Sequence, residues 1–212
     1  MPKKALEKRS YNFDISTETR EDGTRELAGR PIVYNSRTNI GPFDEIIDSG
    51  ALDGTDLSDV RFLINHDLSR IPLARSRRNN GNSTMQLTPD TEGLSLDWVR
   101  LDVENNADAR TLYSAVERGD VSGMSIMFSV DGEKWEDLES DHPTRHITKI
   151  GSVVEVSAVT FPAYKDADIY ARSNEALESA AATLEKARQL REKSPEGDLE
   201  LEKAKLEFIS KM

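Results

Sequence analysis

Three residues carry the groups of an activated serine nucleophile. Ser125 lies in Gly119-Asp120-Val121-Ser122-Gly123-Met124-Ser125-Ile126-Met127-Phe128, His66 in Asn65-His66-Asp67, and Glu155 in Val154-Glu155-Val156-Ser157. A hydroxyl becomes nucleophilic when an imidazole takes its proton, and a carboxylate can hold that imidazole in the right tautomer. Each residue alone also has an ordinary reading: a serine on the solvent side of a half-buried strand, a loop histidine bonded by its neighbours, an exposed strand glutamate. Composition does not bring them together. His142 and His146 fall in a polar stretch, where solvated side chains are expected. A metal at Asn65-His66-Asp67 is disfavoured because no second histidine has ligand spacing nearby, and no cofactor is expected.

The elements around these residues decide whether they can meet. On a period of two, Met124, Ile126, Phe128 and Val130 share one strand face, while Ser125 takes the other with Gly123, Met127 and Ser129. The apolar set anchors the strand and Ser125 projects outward. Gly123 leaves room beside it for a substrate backbone. Residues 60–64 are apolar and β-prone and run directly into His66, where side chains emerge at a sheet end. Glu155 is in phase with Ser157 within a long apolar strand spanning 150–161, and a charge there must pair or face solvent.

The remaining elements are read more coarsely. Residues 1–10 are basic and expected to be loose. Tyr11, Phe13 and Ile15 alternate with polar residues as a strand does. Pro31 lacks a backbone donor, so the strand through Ile32 and Val33 should be an edge or carry a bulge. Residues 44–52 read as a short strand or turn leading into a loop or short helix. Met85-Gln86-Leu87 and Leu94-Ser95-Leu96-Asp97-Trp98 flank a turn at Pro89–Gly93, the pattern of a hairpin. Residues 105–118 form a helix, capped by Asn105 or Asn106, favoured by Asp108 in its first turn, with Ala109, Leu112 and Val116 on one face and Gly119 as its stop. A polar insert, 131–148, which includes Trp135, separates the strand-like runs 121–130 and 150–161.

The bulk numbers exclude several functions. A chain of 212 residues with a net charge of −11 lacks the basic footprint of a general nucleic-acid binder and is not suited to anionic membranes. Without cysteine there is no disulfide, Cys-ligated zinc or thiol nucleophile. No signal peptide is readable, no segment approaches the ~20 apolar residues of a membrane span, and an intracellular protein is the default expectation.

Taken together, the motifs resemble those of the tailed-phage prohead serine proteases. Phe62-Leu63-Ile64-Asn65-His66-Asp67 followed by Ile71-Pro72-Leu73-Ala74-Arg75 is similar to the histidine motif of that family, with Ala74 where glycine is frequent. Arg118 through Phe128 resembles the serine motif, with Met127 in place of the usual glycine. Val154-Glu155-Val156-Ser157-Ala158-Val159-Thr160-Phe161-Pro162-Ala163-Tyr164 resembles the third motif. Glu45-Ile46-Ile47 and Ser49-Gly50-Ala51-Leu52 fit a further segment. The similarity spans roughly 11–172, in the family's order.

The resemblance implies a mainly β protein with helices (α+β): a compact β-barrel of the herpesvirus capsid-maturation protease type. It implies Ser125 as nucleophile, His66 as general base and Glu155 as the group orienting the imidazole. The herpesvirus relatives use a second histidine, which keeps His142 and His146 open for the third role. It implies a serine endopeptidase that cuts scaffold, or the scaffolding segment of the major capsid protein, and itself, within the assembling prohead in the host cytoplasm. Homo-oligomers are compatible with this; nucleic acid and membrane are not expected partners. The rival reading is a noncatalytic capsid-assembly scaffolding module of the same fold, and a third, ranked lower, is a single-stranded nucleic-acid-binding barrel using the arginines at 70–78.

Composition divides the chain into 1–172, the protease domain, and 173–212, a charged helical tail. Leu177, Leu184 and Leu190, then Leu199, Leu206 and Ile209, form thin stripes that bury too little for an independent core. The tail is expected to dock on a scaffold segment, another copy or the protease domain, and to be shed by self-cleavage near the composition shift after Tyr170.

Overall fold

A computed structural model describes residues 6–11, 15–160 and 174–192. Eleven strands and two α-helices are found among them. In chain order these are β1 (Leu6–Tyr11), β2 (Ile15–Thr19), β3 (Arg25–Val33), β4 (Thr38–Asn39), β5 (Asp44–Ile47), β6 (Arg61–Ile64), β7 (Ala74–Arg75), β8 (Met85–Pro89), β9 (Gly93–Leu101), α1 (Ala107–Glu117), β10 (Gly123–Glu136), β11 (Thr144–Val159) and α2 (Asn174–Glu192). Phe13, the segment from Phe161 to Tyr164, and Leu199, Leu206 and Ile209 lie outside the described residues, as does the side chain of Leu177.

The strands form two sheets. One has seven strands in the order β1-β10-β11-β5-β4, with β6 also on β11 and β7 on β6; the other runs β2-β3-β9-β8. The chain is therefore mainly β with helices, as expected, but no closed barrel is formed among the described residues. Strand β11 organises the larger sheet. It pairs antiparallel with β10 along one side; on the other it takes β5 at its start and β6 at its end, both parallel. Its length makes this possible, since β5 and β6 use separate stretches, 144–147 and 155–158.

The core follows the period-two pattern. Met124, Ile126 and Phe128 are fully buried and join Leu27, Ile32, Leu94, Leu96 and Val99 of the smaller sheet in one apolar cluster. Pro31 sits in a β-bulge, where the β3–β9 register shifts between Gly29 and Ile32. The hairpin β8–β9 forms where the turn residues placed it. Its Gly93 has φ 149°, and a Cβ there would lie 2.0 Å from the Ile32 carbonyl oxygen, so only glycine fits. Helix α1 also matches its signals: the Asn106 side chain accepts from the Asp108 and Ala109 amides, and Ala109, Leu112, Tyr113 and Val116 are buried.

Two expectations fail. Residues 6–11 are not loose but form β1, pairing with β10 from Leu6 opposite Ser129 to Tyr11 opposite Met124. The stretch 131–148 is not a separate polar insert, because β10 and β11 continue through it as a long hairpin, with Glu136 opposite Thr144. Trp135 there packs edge-on against Phe43, ring centroids 4.9 Å apart. Helix α2 covers this second cluster with Ala180, Leu184 and Ala187 against Phe43 and Leu138, while Leu190 is exposed. No helix among the described residues is long and apolar enough to cross a membrane.

Candidate active site

Register alone sets two of the three chemical groups side by side. Antiparallel pairing of β10 with β11 puts Ser125 opposite Ser157 and Met127 opposite Glu155. Alternation then gives Ser125, Ser157 and Glu155 the same face. The phase assigned to Ser125 is right, but its environment is not solvent: Ser125, Glu155 and Ser157 are each 0% exposed.

The imidazole arrives from the end of β6. That strand runs parallel to β11 as far as Ile64 opposite Ala158, and the chain then turns sharply. Asn65 and His66 both adopt left-handed backbone conformations, with φ of 52° and 58°. For a non-glycine residue this costs about 1–2 kcal/mol, less for asparagine. The turn is held by its neighbours. The Asn65 amide donates to the Ala158 carbonyl at 3.0 Å, and its side-chain oxygen accepts the Thr160 amide at 2.9 Å. The His66 amide donates to Ser157 Oγ at 3.0 Å. A local conformation over-determined in this way is found where a side chain must be aimed.

The turn aims His66 between the other two groups. Its Nε2 lies 2.5 Å from Ser125 Oγ, and its Nδ1 is in hydrogen-bond contact with Glu155 Oε1. With the carboxylate as acceptor, Nδ1 carries the proton and Nε2 is free to accept from the serine. The second carboxylate oxygen of Glu155 accepts from Ser157 Oγ at 2.6 Å. Ser157 thus ties the carboxylate to the His66 backbone with a single hydroxyl. It was visible in the sequence as the next residue in phase with Glu155, but nothing there assigned it a function. Beside the turn, a cleft of about 190 Å³ is lined by Leu63, Ile64, Asn65, Asp67, Ile71 and Leu73, with Ile71 itself 87% exposed.

His142 and His146 do not join this group. His142 Nε2 lies 2.9 Å from Asp44 Oδ1, and His146 Nδ1 lies 2.7 Å from Asp48 Oδ1. Both flank β5, at the far end of β11 from Glu155. Burial pushes both aspartates up, but the hydrogen bonds from His142 and Arg37 to Asp44, and from His146 and Lys134 to Asp48, outweigh it and hold both carboxyls below their ordinary value.

A family model for the caudovirus prohead serine proteases matches residues 12–181, most of the chain. The chain belongs to this family. Comparison with curated proteins and with solved structures finds no match. As a caudovirus prohead serine protease, the protein has a role in maturation of the phage prohead, and its family is one of serine peptidases acting within the assembling capsid. The matched region of this prohead protease contains Ser125, His66 and Glu155 and ends inside α2.

A dense ion cluster lies next to strand β10 in this prohead protease. Arg9 of β1 donates through Nε and Nη2 to the two carboxylate oxygens of Glu45, at 2.5 and 2.9 Å. Arg145 Nη1 reaches Glu7 at 2.6 Å and Glu45 at 2.9 Å, and Arg145 Nε reaches Glu133 at 2.8 Å. Glu45 and Arg145 are each 1% exposed. Burial favours the neutral form of Arg145, but Glu7, Glu45 and Glu133 outweigh it and raise its pKa. Burial also pushes Glu7 up, and Arg145 and Arg9 more than offset that, so its carboxyl sits below its ordinary range.

Proposed function

We propose that this protein is a serine endopeptidase that cuts scaffold protein or the scaffolding segment of the major capsid protein, and its own chain, during prohead maturation. The observation that carries this reading is the placement of His66 between Ser125 Oγ and Glu155. In the reaction, His66 Nε2 takes the proton of Ser125 as the hydroxyl attacks a peptide carbonyl. The imidazolium formed is stabilised by the buried Glu155 carboxylate, which also fixes the ring. His66 then returns the proton to the leaving amine, and water repeats the sequence on the acyl-enzyme. Ser157 orients Glu155 and takes no part in proton transfer.

The test is co-expression with the cognate capsid protein, with and without Ser125→Ala, and mapping of fragments by mass spectrometry. Processing by the wild-type chain that disappears with Ser125→Ala supports the assignment. Undiminished processing by Ser125→Ala removes it.

A further inference from the structure

The burial of Ser125 needs an explanation, because a nucleophile for polypeptides must be reachable. Part of what closes over it is the chain's own N-terminal strand. Strand β1 lies antiparallel to β10 with Ser10 opposite Ser125. The Arg9 carbonyl oxygen accepts from Ser125 Oγ at 2.8 Å. That bond spends the serine's single proton on the Arg9 oxygen, so it is a resting contact; attack needs the hydroxyl turned to His66 Nε2 and the carbonyl carbon, in place of its oxygen, brought to about 3–3.5 Å from Oγ. The Arg9 carbon is one bond beyond that oxygen, and the bond that follows it is Arg9–Ser10. An extended peptide paired to a sheet strand is also a recurrent way of binding a polypeptide segment, with main-chain bonds for affinity and alternate side chains for specificity.

The alternate side chains of β1 are received in that manner. Lys8 is exposed, whereas Arg9 is buried with its guanidinium forked onto Glu45. Two residues earlier, Glu7 meets Arg145 through both carboxylate oxygens, at 2.6 and 2.9 Å. Glu45 and Arg145 come from β5 and β11, so the receiving charges belong to the body of the protein. Fork-to-fork pairing of arginine with a carboxylate is selective in geometry as well as charge.

We infer that β1 is a tethered substrate, and that the protein cuts its own Arg9–Ser10 bond in a groove selective for a basic residue before the cut and an acidic one two positions further back. This rests on the protease reading above. Ser125 Oγ bonds to the Arg9 carbonyl carbon as its proton passes to His66 Nε2. The carbon–nitrogen bond to Ser10 breaks and the Ser10 nitrogen takes that proton. Water, deprotonated by His66, then displaces Ser125 from the Arg9 ester, and His66 returns that proton to Ser125 Oγ, leaving a carboxylate on Arg9 and an amine on Ser10. The segment ending at Arg9 is then held only by its own contacts, and its departure opens β10 to other polypeptides.

The experiment follows the mass and N-terminal peptide of the purified full chain over time, for wild type, Ser125→Ala, Arg9→Lys and Arg9→Ala, with co-expressed capsid protein scored in parallel. Wild type is expected to acquire Ser10 as its first residue, and Ser125→Ala to stay uncut. Arg9→Lys keeps the charge and should still be cut, while Arg9→Ala should slow the cut about tenfold or more, as loss of a charged hydrogen bond does. Cutting of Ser125→Ala at Arg9 would assign the event to another protease and overturn the inference. So would a wild-type chain that processes capsid protein while its Arg9–Ser10 bond stays whole, an outcome that leaves the protease reading standing. Failure to cut either protein would remove both. Equal rates for Arg9→Ala and wild type would overturn the selectivity.

Discussion

Ser157 and His66 are joined by a hydrogen bond from the His66 amide to the Ser157 hydroxyl at 3.0 Å, and that hydroxyl in turn donates to Glu155 at 2.6 Å. The backbone that carries the imidazole and the carboxylate that faces it are therefore fixed by one atom, Ser157 Oγ, in a fully buried setting. Ser157→Ala should leave a buried amide and a carboxylate oxygen each short of a partner, costing about 1–3 kcal/mol of stability. Turnover should fall about tenfold or more with little change in KM, as expected for a positioning residue. Thermal melts and steady-state kinetics check this, and Ser157→Thr, which keeps the hydroxyl, should recover part of the loss.

Ser125→Ala should lose several orders of magnitude in turnover, as removal of a serine nucleophile does. Its melting temperature should stay close to wild type, because the surrounding apolar strand face of Met124, Ile126 and Phe128 is untouched. Unchanged cleavage of capsid protein by this variant would sink the nucleophile assignment.

Glu155→Gln keeps the shape of the side chain but presents the wrong hydrogen-bond partner to Nδ1. The expected loss in kcat is about 10³–10⁴, with folding largely retained. His142→Ala and His146→Ala should retain near-normal turnover, since their partners are Asp44 and Asp48. Inactive His142→Ala or His146→Ala beside an active Glu155→Gln would move the third role to one of these histidines.

Acid should loosen β1. The Glu7 carboxyl is held below its ordinary 4.5 in the folded protein: burial raises it, and Arg145 and Arg9 outweigh that. A depressed carboxyl contributes stability above its unfolded value, and that contribution is lost as pH falls through its lower folded value. In the uncut Ser125→Ala chain, the protection of β1 amides relative to their intrinsic exchange rates should therefore fall as the pH is taken below 4.5, and Glu7→Gln added to it should flatten this dependence. A Ser125→Ala profile with no change in that window would show that Glu7 does not anchor the strand.

Helix α2 should be separable from the site without unmaking it. Leu184, 6% exposed, packs with Ala180 and Ala187 on Phe43 and Leu138, apart from the main core. Leu184→Ala should cost about 2–3 kcal/mol of local stability. Hydrogen exchange should then rise in α2 and near Phe43 while the amides of β10 at Ser125 stay protected. Loss of protection throughout β10 would show a single cooperative unit instead.

The sequence revealed what depends on short spacings. The two faces of β10, the Asn106 cap of α1 and the turn before Gly93 each rest on residues within a few positions of one another. The cluster of Ser125, His66 and Glu155 was legible only as three separated groups, because their meeting depends on β11 pairing with two strands at once. Strand β1 was misread for a related reason. Glu7, Lys8 and Arg9 look solvated by composition, and the partners that bury Arg9 and Glu7 lie 36 and 138 residues away in the chain. Ser125 was phased correctly yet expected to face outward, since a period of two reports direction and not what lies above. Barrel closure came from resemblance alone, and no local pattern bore on it.

Strand β1 also forms the outer boundary of the larger sheet, and three of its six residues in a row are charged. A flat apolar strand in that position would template the stacking of one copy on the next. With Lys8 exposed along the rim, and Glu7 and Arg9 turned into the body of the protein, a neighbouring chain would have to strip water from the Lys8 ammonium before it could pair. The rim therefore favours copies that stay dispersed when crowded together, and a chain without it would be the one to precipitate first at high concentration.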